Sequence, residues 1–154
     1  MILGKIVGKV NTQDFKFLVN GNARKFDYVQ VMHKDDVYVL SQILEIEKDY
    51  DNETAICGVI GYRENDKLKQ LTTPFDPGIE VLRAEDDFVE QVLGLKKEKG
   101  AYVGVLDGRE KIKVFLDINK MLTKHLSIIA KTGTGKSFFS GVIVEELIEK
   151  NIPI

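Results

Sequence analysis

The chain has 154 residues, with 22 Lys/Arg against 24 Asp/Glu and a formal net charge of −2. Its 44% hydrophobic content supports a packed core and excludes wholesale disorder. The near-neutral balance excludes a global pull on nucleic acid, so a DNA contact must come from a local patch or an assembled ring. A single cysteine, Cys57, cannot form an internal disulfide and fits an intracellular chain. It has no reactive motif around it and reads as a small buried residue. Lys5 and Lys9 interrupt the apolar start, which excludes a signal peptide, and no run reaches the length of a membrane span. A soluble, cytoplasmic protein is expected, with no membrane partner.

In chain order, the first ~80 residues alternate short apolar runs with turns. Residues 2–10 form the first run, with Gly4 and Gly8 inside it as markers of a bulge or tight bend. Residues 15–19 follow, closed by the turn signal Asn20-Gly21-Asn22. The third run, residues 26–32, puts Phe26, Tyr28, Gln30 and Met32 on one face. After Lys34-Asp35-Asp36 comes a longer run, 37–46, whose β-branched and aromatic start favours a strand over a helix. Residues 54–62 make a fifth strand. This spacing predicts a small barrel or sandwich. Residues 72–78, with Pro74, Pro77 and Gly78, read as a connector, placing a domain boundary near residue 80.

Residues 84–93 carry apolar side chains at helical spacing, with Asp86 and Asp87 near the start and Gly94 as a stop. Residues 102–106 and 112–116 flank Asp107-Gly108 and read as a hairpin. Residues 127–130, Ser-Ile-Ile-Ala, suit a strand buried on both faces. Residues 136–150 then form an amphipathic helix, with Phe139, Val142, Ile143 and Leu147 on one side.

Between that strand and that helix lies Ala130-Lys131-Thr132-Gly133-Thr134-Gly135-Lys136-Ser137, a P-loop pattern with Ala in place of the usual first Gly. Strand, glycine-rich turn and helix in this order suit phosphate. Successive N–H groups curl around the anion, and the helix N-terminus adds its partial positive charge. Gly133 and Gly135 let the backbone approach closely. Lys136 is expected to reach the β- and γ-phosphates of ATP, and Ser137 to offer its hydroxyl to Mg²⁺. The expected nucleotide-binding set is Thr132, Gly133, Thr134, Gly135, Lys136, Ser137 and Phe138, with Ser137 the metal ligand. Hydrolysis also needs a magnesium-holding carboxylate, a water-positioning group and an arginine. These normally lie well beyond such a helix, so no catalytic residue is assigned in residues 1–154 and negligible ATP turnover is expected of this chain alone.

The stretch from Lys124-His125-Leu126-Ser127 to Ser137 resembles the P-loop region of the HerA–FtsK group of DNA-translocating ATPases. Leu116-Asp117-Ile118-Asn119, the opening Ile2-Leu3-Gly4-Lys5-Ile6-Val7-Gly8 and residues 74–81 with Pro77-Gly78 are similar to archaeal HerA-type chains. The resemblance implies a mainly β fold: a small N-terminal β-barrel of the HAS type over residues 1–80, then over 81–154 the truncated start of a RecA-like α/β P-loop domain. It further implies a hexameric, ATP-driven translocase of double-stranded DNA that works with a NurA-type nuclease in end resection and recombinational repair. In that family the barrel contributes to ring assembly and the nuclease contact. The family's catalytic carboxylates and arginine finger have no counterparts in these 154 residues, which implies an N-terminal piece of the motor. The alternative is a barrel that serves as an oligomerisation or docking module, with no nucleotide function in this chain. A rotary ATP synthase subunit, which also pairs a barrel with a P-loop, is a third reading with a less suitable spacing.

The remaining candidates have plainer readings. His125 reads as a structural residue at a strand start and His33 as a surface residue beside a turn. Two distant histidines and one cysteine lack metal-ligand spacing. Lys96, Lys97 and Lys99 read as a solvated helix end rather than a DNA contact. Phe138 and Phe139 read mainly as core, one of them possible near an adenine.

Overall fold

The computed structural model describes residues 1–95 and 100–153. Lys96, Lys97 and Lys99 lie outside the described residues. The chain divides into two compact units, Met1–Gly94 and Leu95–Ile154.

The first unit is a closed barrel. Its strands are β1 (Ile2–Val7), β2 (Asp14–Val19), β3 (Tyr28–Met32), β4 (Tyr38–Lys48), β5 (Glu53–Glu64) and β7 (Glu80–Arg83), with the short β6 (Lys67–Lys69) beside β5. Hydrogen bonding runs in the order β2-β1-β7-β3-β4-β5, and β5 pairs back onto β2, so six strands close the circuit. All pairings are antiparallel, with Lys5 opposite Leu18, Val29 opposite Ser41 and Phe15 opposite Cys57. Period-2 alternation decides which side chains go inside. Leu3, Ile6, Phe15, Phe17, Val29, Val31, Val39, Ile43 and Cys57 meet in one buried cluster. The inward face of the third run is thus Val29 and Val31, not the face of Gln30 and Met32.

Closing so small a barrel requires bent strands. β4 shifts register between Leu40 and Ser41 and again between Ile43 and Glu45. β1 passes so close to β2 that a Cβ on Gly4 would collide with the Leu18 carbonyl oxygen.

The 72–78 segment does more than connect. Phe75 is 2% exposed and packs edge-on against Phe15, ring centroids 5.3 Å apart, so the segment covers the core. His33, expected at the surface, is 2% exposed instead. Its Nε2 lies 3.1 Å from the Thr73 carbonyl and its ring meets Phe75 edge-on. The proline-bearing segment buries this histidine, a contact across 40 residues that local pattern does not carry.

β7 hydrogen-bonds to both β1 and β3, with Val81 buried against the core. A division at residue 80 therefore cuts this strand, and the compact unit runs on to Gly94. It includes α1 (Asp86–Leu93), where Val89 and Val92 are buried and Gly94 takes the left-handed conformation at φ 68°. Arg63 of β5 holds the C-terminal end of α1: its Nε donates to the Val92 carbonyl at 3.2 Å and its Nη1 to the Asp66 carbonyl at 2.7 Å. The α1 last turn has no basic residue of its own, so this cation supplies the charge that the helix dipole favours there.

The second unit contains the hairpin β8 (Gly100–Leu106) and β9 (Arg109–Asp117), then α2 (Ile118–Thr123) and α3 (Lys136–Glu149). Gly108, at φ 71°, makes the turn that Asp107-Gly108 foreshadowed. Asp117 caps α2 by accepting from the Lys120 N–H at 3.1 Å. Ala101, Ile118, Ile143 and Leu147 form the buried cluster, with Leu116, Ile128 and Phe139 packed on it. The Glu146 carboxylate accepts from the Tyr102 N–H at 2.8 Å and ties α3 to β8.

Residues 127–130 depart from expectation. They pair with no strand among the described residues, Ile129 is 92% exposed, and only Ile128 reaches the cluster. A strand buried on both faces needs neighbours on both edges, and local sequence cannot supply them.

Candidate phosphate-binding loop

The loop turns on two glycines. Gly133 (φ 83°) and Gly135 (φ 90°) both take the left-handed conformation, which a Cβ would disfavour. Thr134 closes the bend between them. Its N–H donates to the Lys131 carbonyl at 3.3 Å and its hydroxyl to the same oxygen at 2.7 Å. Gly135 is the N-cap of α3, and its carbonyl accepts the first helical bond from the Phe139 N–H at 2.9 Å.

Gly135 has no side chain with which to cap the helix, so the first-turn N–H groups of α3 have no side-chain partner at the cap. Unsatisfied donors at the positive end of a helix dipole are what an anion needs. The space is open as well, since a Cβ built on Gly133 or Gly135 meets nothing within 4 Å. Thr132, Gly133, Thr134, Gly135, Lys136, Ser137 and Phe138 are all exposed. Lys136 and Ser137 are the first two residues of α3, and neither side chain has an ion pair or hydrogen bond with another described residue. A phosphate, with Mg²⁺ beside it, fits the donor set and the clearance.

Phe138 and Phe139 separate. Phe139 packs on the Ile143 and Leu147 cluster, whereas Phe138 is 79% exposed and so is not core. Val144 and Ile148 are also exposed on α3, which is therefore apolar on more than one side. His125 is exposed, with no strand starting at it. Among the described residues no group of three or more His, Cys, Asp or Glu is placed to hold a metal ion. Cys57 is fully buried, and burial pushes its thiol up to about 12, which removes it as a nucleophile. Among the described residues no helix is long and apolar enough to cross a membrane.

These features define a mainly β protein: a closed six-stranded barrel, then a hairpin and a glycine loop that opens a helix. Comparison with known proteins adds the family. Residues 101–154, which include the hairpin, the loop and α3, match the family described as "Helicase HerA, central domain". The chain is 31% identical over 151 residues to the "Probable DNA double-strand break repair helicase HerA" of Methanocaldococcus jannaschii, covering 98% of this chain and 30% of that protein. It is 30% identical over 101 residues to the "DNA double-strand break repair helicase HerA" of Pyrococcus furiosus, 64% of this chain and 18% of that protein. An uncharacterized protein of Aquifex aeolicus is 30% identical over 125 residues, 77% of this chain and 46% of that one. The chain is of the HerA type, related to DNA repair helicases. It spans less than half the length of each of these relatives.

Proposed function

We propose that residues 130–138 bind the phosphates of ATP with Mg²⁺, as part of an ATP-driven DNA translocase that acts in break repair. The observation that carries this reading is the uncapped start of α3 behind two left-handed glycines, inside the segment that matches the HerA central domain. Backbone N–H groups of the loop and of the first α3 turn receive the phosphate oxygens. Lys136 neutralises the β- and γ-phosphates, and Ser137 offers a hydroxyl ligand to Mg²⁺. Mg²⁺, when bound beside Ser137, would offset the negative charge of the phosphates. Phe138 stands exposed at the end of this set, available to a nucleotide rather than to the core. The 154 residues alone bind without appreciable hydrolysis, because no strand alongside residues 127–130 presents a carboxylate among the described residues.

The wider reading follows from the HerA likeness. The protein assembles as a ring of six, double-stranded DNA passes through the assembly, and a NurA-type nuclease docks on it, in the cytoplasm. The barrel contributes to assembly and docking.

Titration of a non-hydrolysable ATP analogue with Mg²⁺, followed calorimetrically, tests the site. Lys136→Ala is expected to weaken binding about 10- to 100-fold, the size of a lost charge-assisted contact. Ser137→Ala is expected to weaken it only when Mg²⁺ is present. Equal binding by wild type and Lys136→Ala would overturn the reading. No binding at all would favour the barrel as a docking module with no nucleotide function in this chain.

A further inference from the structure

Five described residues other than glycine have positive φ: Phe26, Asp36, Asn65, Asp66 and Asn151. Four are Asn or Asp, whose short side chains tolerate that conformation. Phe26, at φ 72°, is the exception. A bulky side chain there costs free energy that glycine would avoid.

The barrel needs this backbone shape but not this ring. The Phe26 N–H donates to the Ile43 carbonyl at 2.8 Å, and Gln42 Nε2 donates to the Phe26 carbonyl at 3.2 Å. Both bonds are available to any residue at the position. The ring itself is 51% exposed and lies outside the core cluster. Packing therefore does not account for an aromatic side chain at a strained site.

Its neighbours carry charge. Arg24 and Lys25 are exposed, and the Lys25 ammonium stands 5.3 Å from the centroid of the Phe26 ring. The nearest acid in sequence, Asp27, is engaged with Arg83 at 3.3 Å and with the Arg24 N–H at 3.1 Å. Neither Arg24 nor Lys25 has an ion pair among the described residues. Residues 1–94 hold 11 Lys/Arg against 17 Asp/Glu, so this is a local positive spot on an acidic unit.

We propose that Phe26, with Arg24 and Lys25, is a contact site for single-stranded nucleic acid. A base stacks on the ring face that Lys25 leaves open, and the two cations take the flanking phosphates. Aromatic stacking next to backbone-neutralising cations is how single strands are held without sequence preference. The observations favour this over a protein partner, because two cations without an ion pair among the described residues, beside a half-exposed ring, match alternating phosphate and base. The site lies on the barrel and does not depend on the loop at 130–138.

The test uses fluorescence anisotropy of a labelled oligothymidine with the 154-residue chain at low salt, together with thermal melting of each variant. Phe26→Gly is expected to bind about tenfold more weakly, the size of one lost base stack, while melting no lower than wild type. Phe26→Trp is expected to restore binding. Arg24→Gln with Lys25→Gln is expected to reduce the salt slope by about 1.4, two single-strand phosphate contacts. Unchanged binding by Phe26→Gly, absence of binding by the wild type, or failure of Phe26→Trp to restore it would each overturn the proposal. So would a clear drop in the melting temperature of Phe26→Gly, which would make the ring structural. Equal sensitivity of blunt duplex binding to Phe26→Gly would also overturn it, since paired bases present no free face. A lysine variant at the other site, Lys136→Ala, is expected to leave oligothymidine binding unchanged, so this inference and the nucleotide reading fail separately.

Discussion

The two units reach order by different means. In the barrel, β5 returns to β2, so six strands form one closed circuit around a core of large residues. Among the described residues of the 95–154 unit the only ladder is the β8–β9 pair, and Ala101, Ile118, Ile143 and Leu147 anchor its buried cluster. Its apolar side chains are correspondingly open: Ile129, Phe138, Val144 and Ile148 are all exposed. The difference teaches that a self-contained fold and a candidate binding loop need not share a stability source. The barrel holds itself together, whereas the glycine loop rests on a small helix–hairpin contact.

The largest expected effect probes the barrel. Phe15→Ala removes a fully buried ring and its edge contact with Phe75, and is expected to cost about 3–5 kcal/mol in urea unfolding. A cost near 1 kcal/mol would show that the closed circuit, not the core, carries the unit. Next comes the small core of the second unit. Ile143→Ala is expected to cost about 2 kcal/mol there, at the low end because a shallow cluster can relax around the gap. Amide exchange is expected to speed up in α3 and β8 while β1–β5 stay protected; faster exchange throughout would erase the distinction drawn above.

A smaller effect reads the barrel interior by pH. The Cys57 thiol is raised from 9.0 to about 12 by burial, so the folded chain keeps its proton where the unfolded chain loses it. That contribution is intact below pH 9 and is lost as pH rises toward 12, at roughly 1.4 kcal/mol per unit. Cys57→Val is expected to lack this part of the alkaline slope. Identical slopes in the two proteins would mean that the thiol is not sealed.

Much of this architecture was legible in the sequence because it is local. The runs at 15–19 and 37–46, the Gly94 stop, the Asp107-Gly108 turn and the start of the helix at Lys136 need only period and turn chemistry, and each has its element. The glycine spacing of the loop foreshadowed the two left-handed residues that shape it. What escaped depends on distant partners. Glu80–Arg83 is short and charged at both ends, and becomes a strand because β1 and β3 flank it. Lys67–Lys69 pairs only because Gly61 lets β6 fold close to β5. His33 was misplaced for the same reason, since the residues that bury it come 40 positions later. The 127–130 run shows the converse: an apolar pattern states a capacity for burial, and pairing requires strands to flank it.

The return of β5 to β2 has a consequence for how such a unit meets its neighbours. The closed circuit pairs most strand edges along its wall, and the end of β4, Glu45 to Lys48, pairs with β5 alone. The one flanking strand, β6, is three residues long, and Lys67 and Lys69 guard it. A second molecule therefore finds only short strand edges, bearing Glu45, Glu47 and Lys48 on β4 and Lys67 and Lys69 on β6, on which to extend the sheet. Contact with the rest of the barrel wall has to be read out through side-chain shape and charge, where single substitutions can tune one partnership without opening a route to fibres.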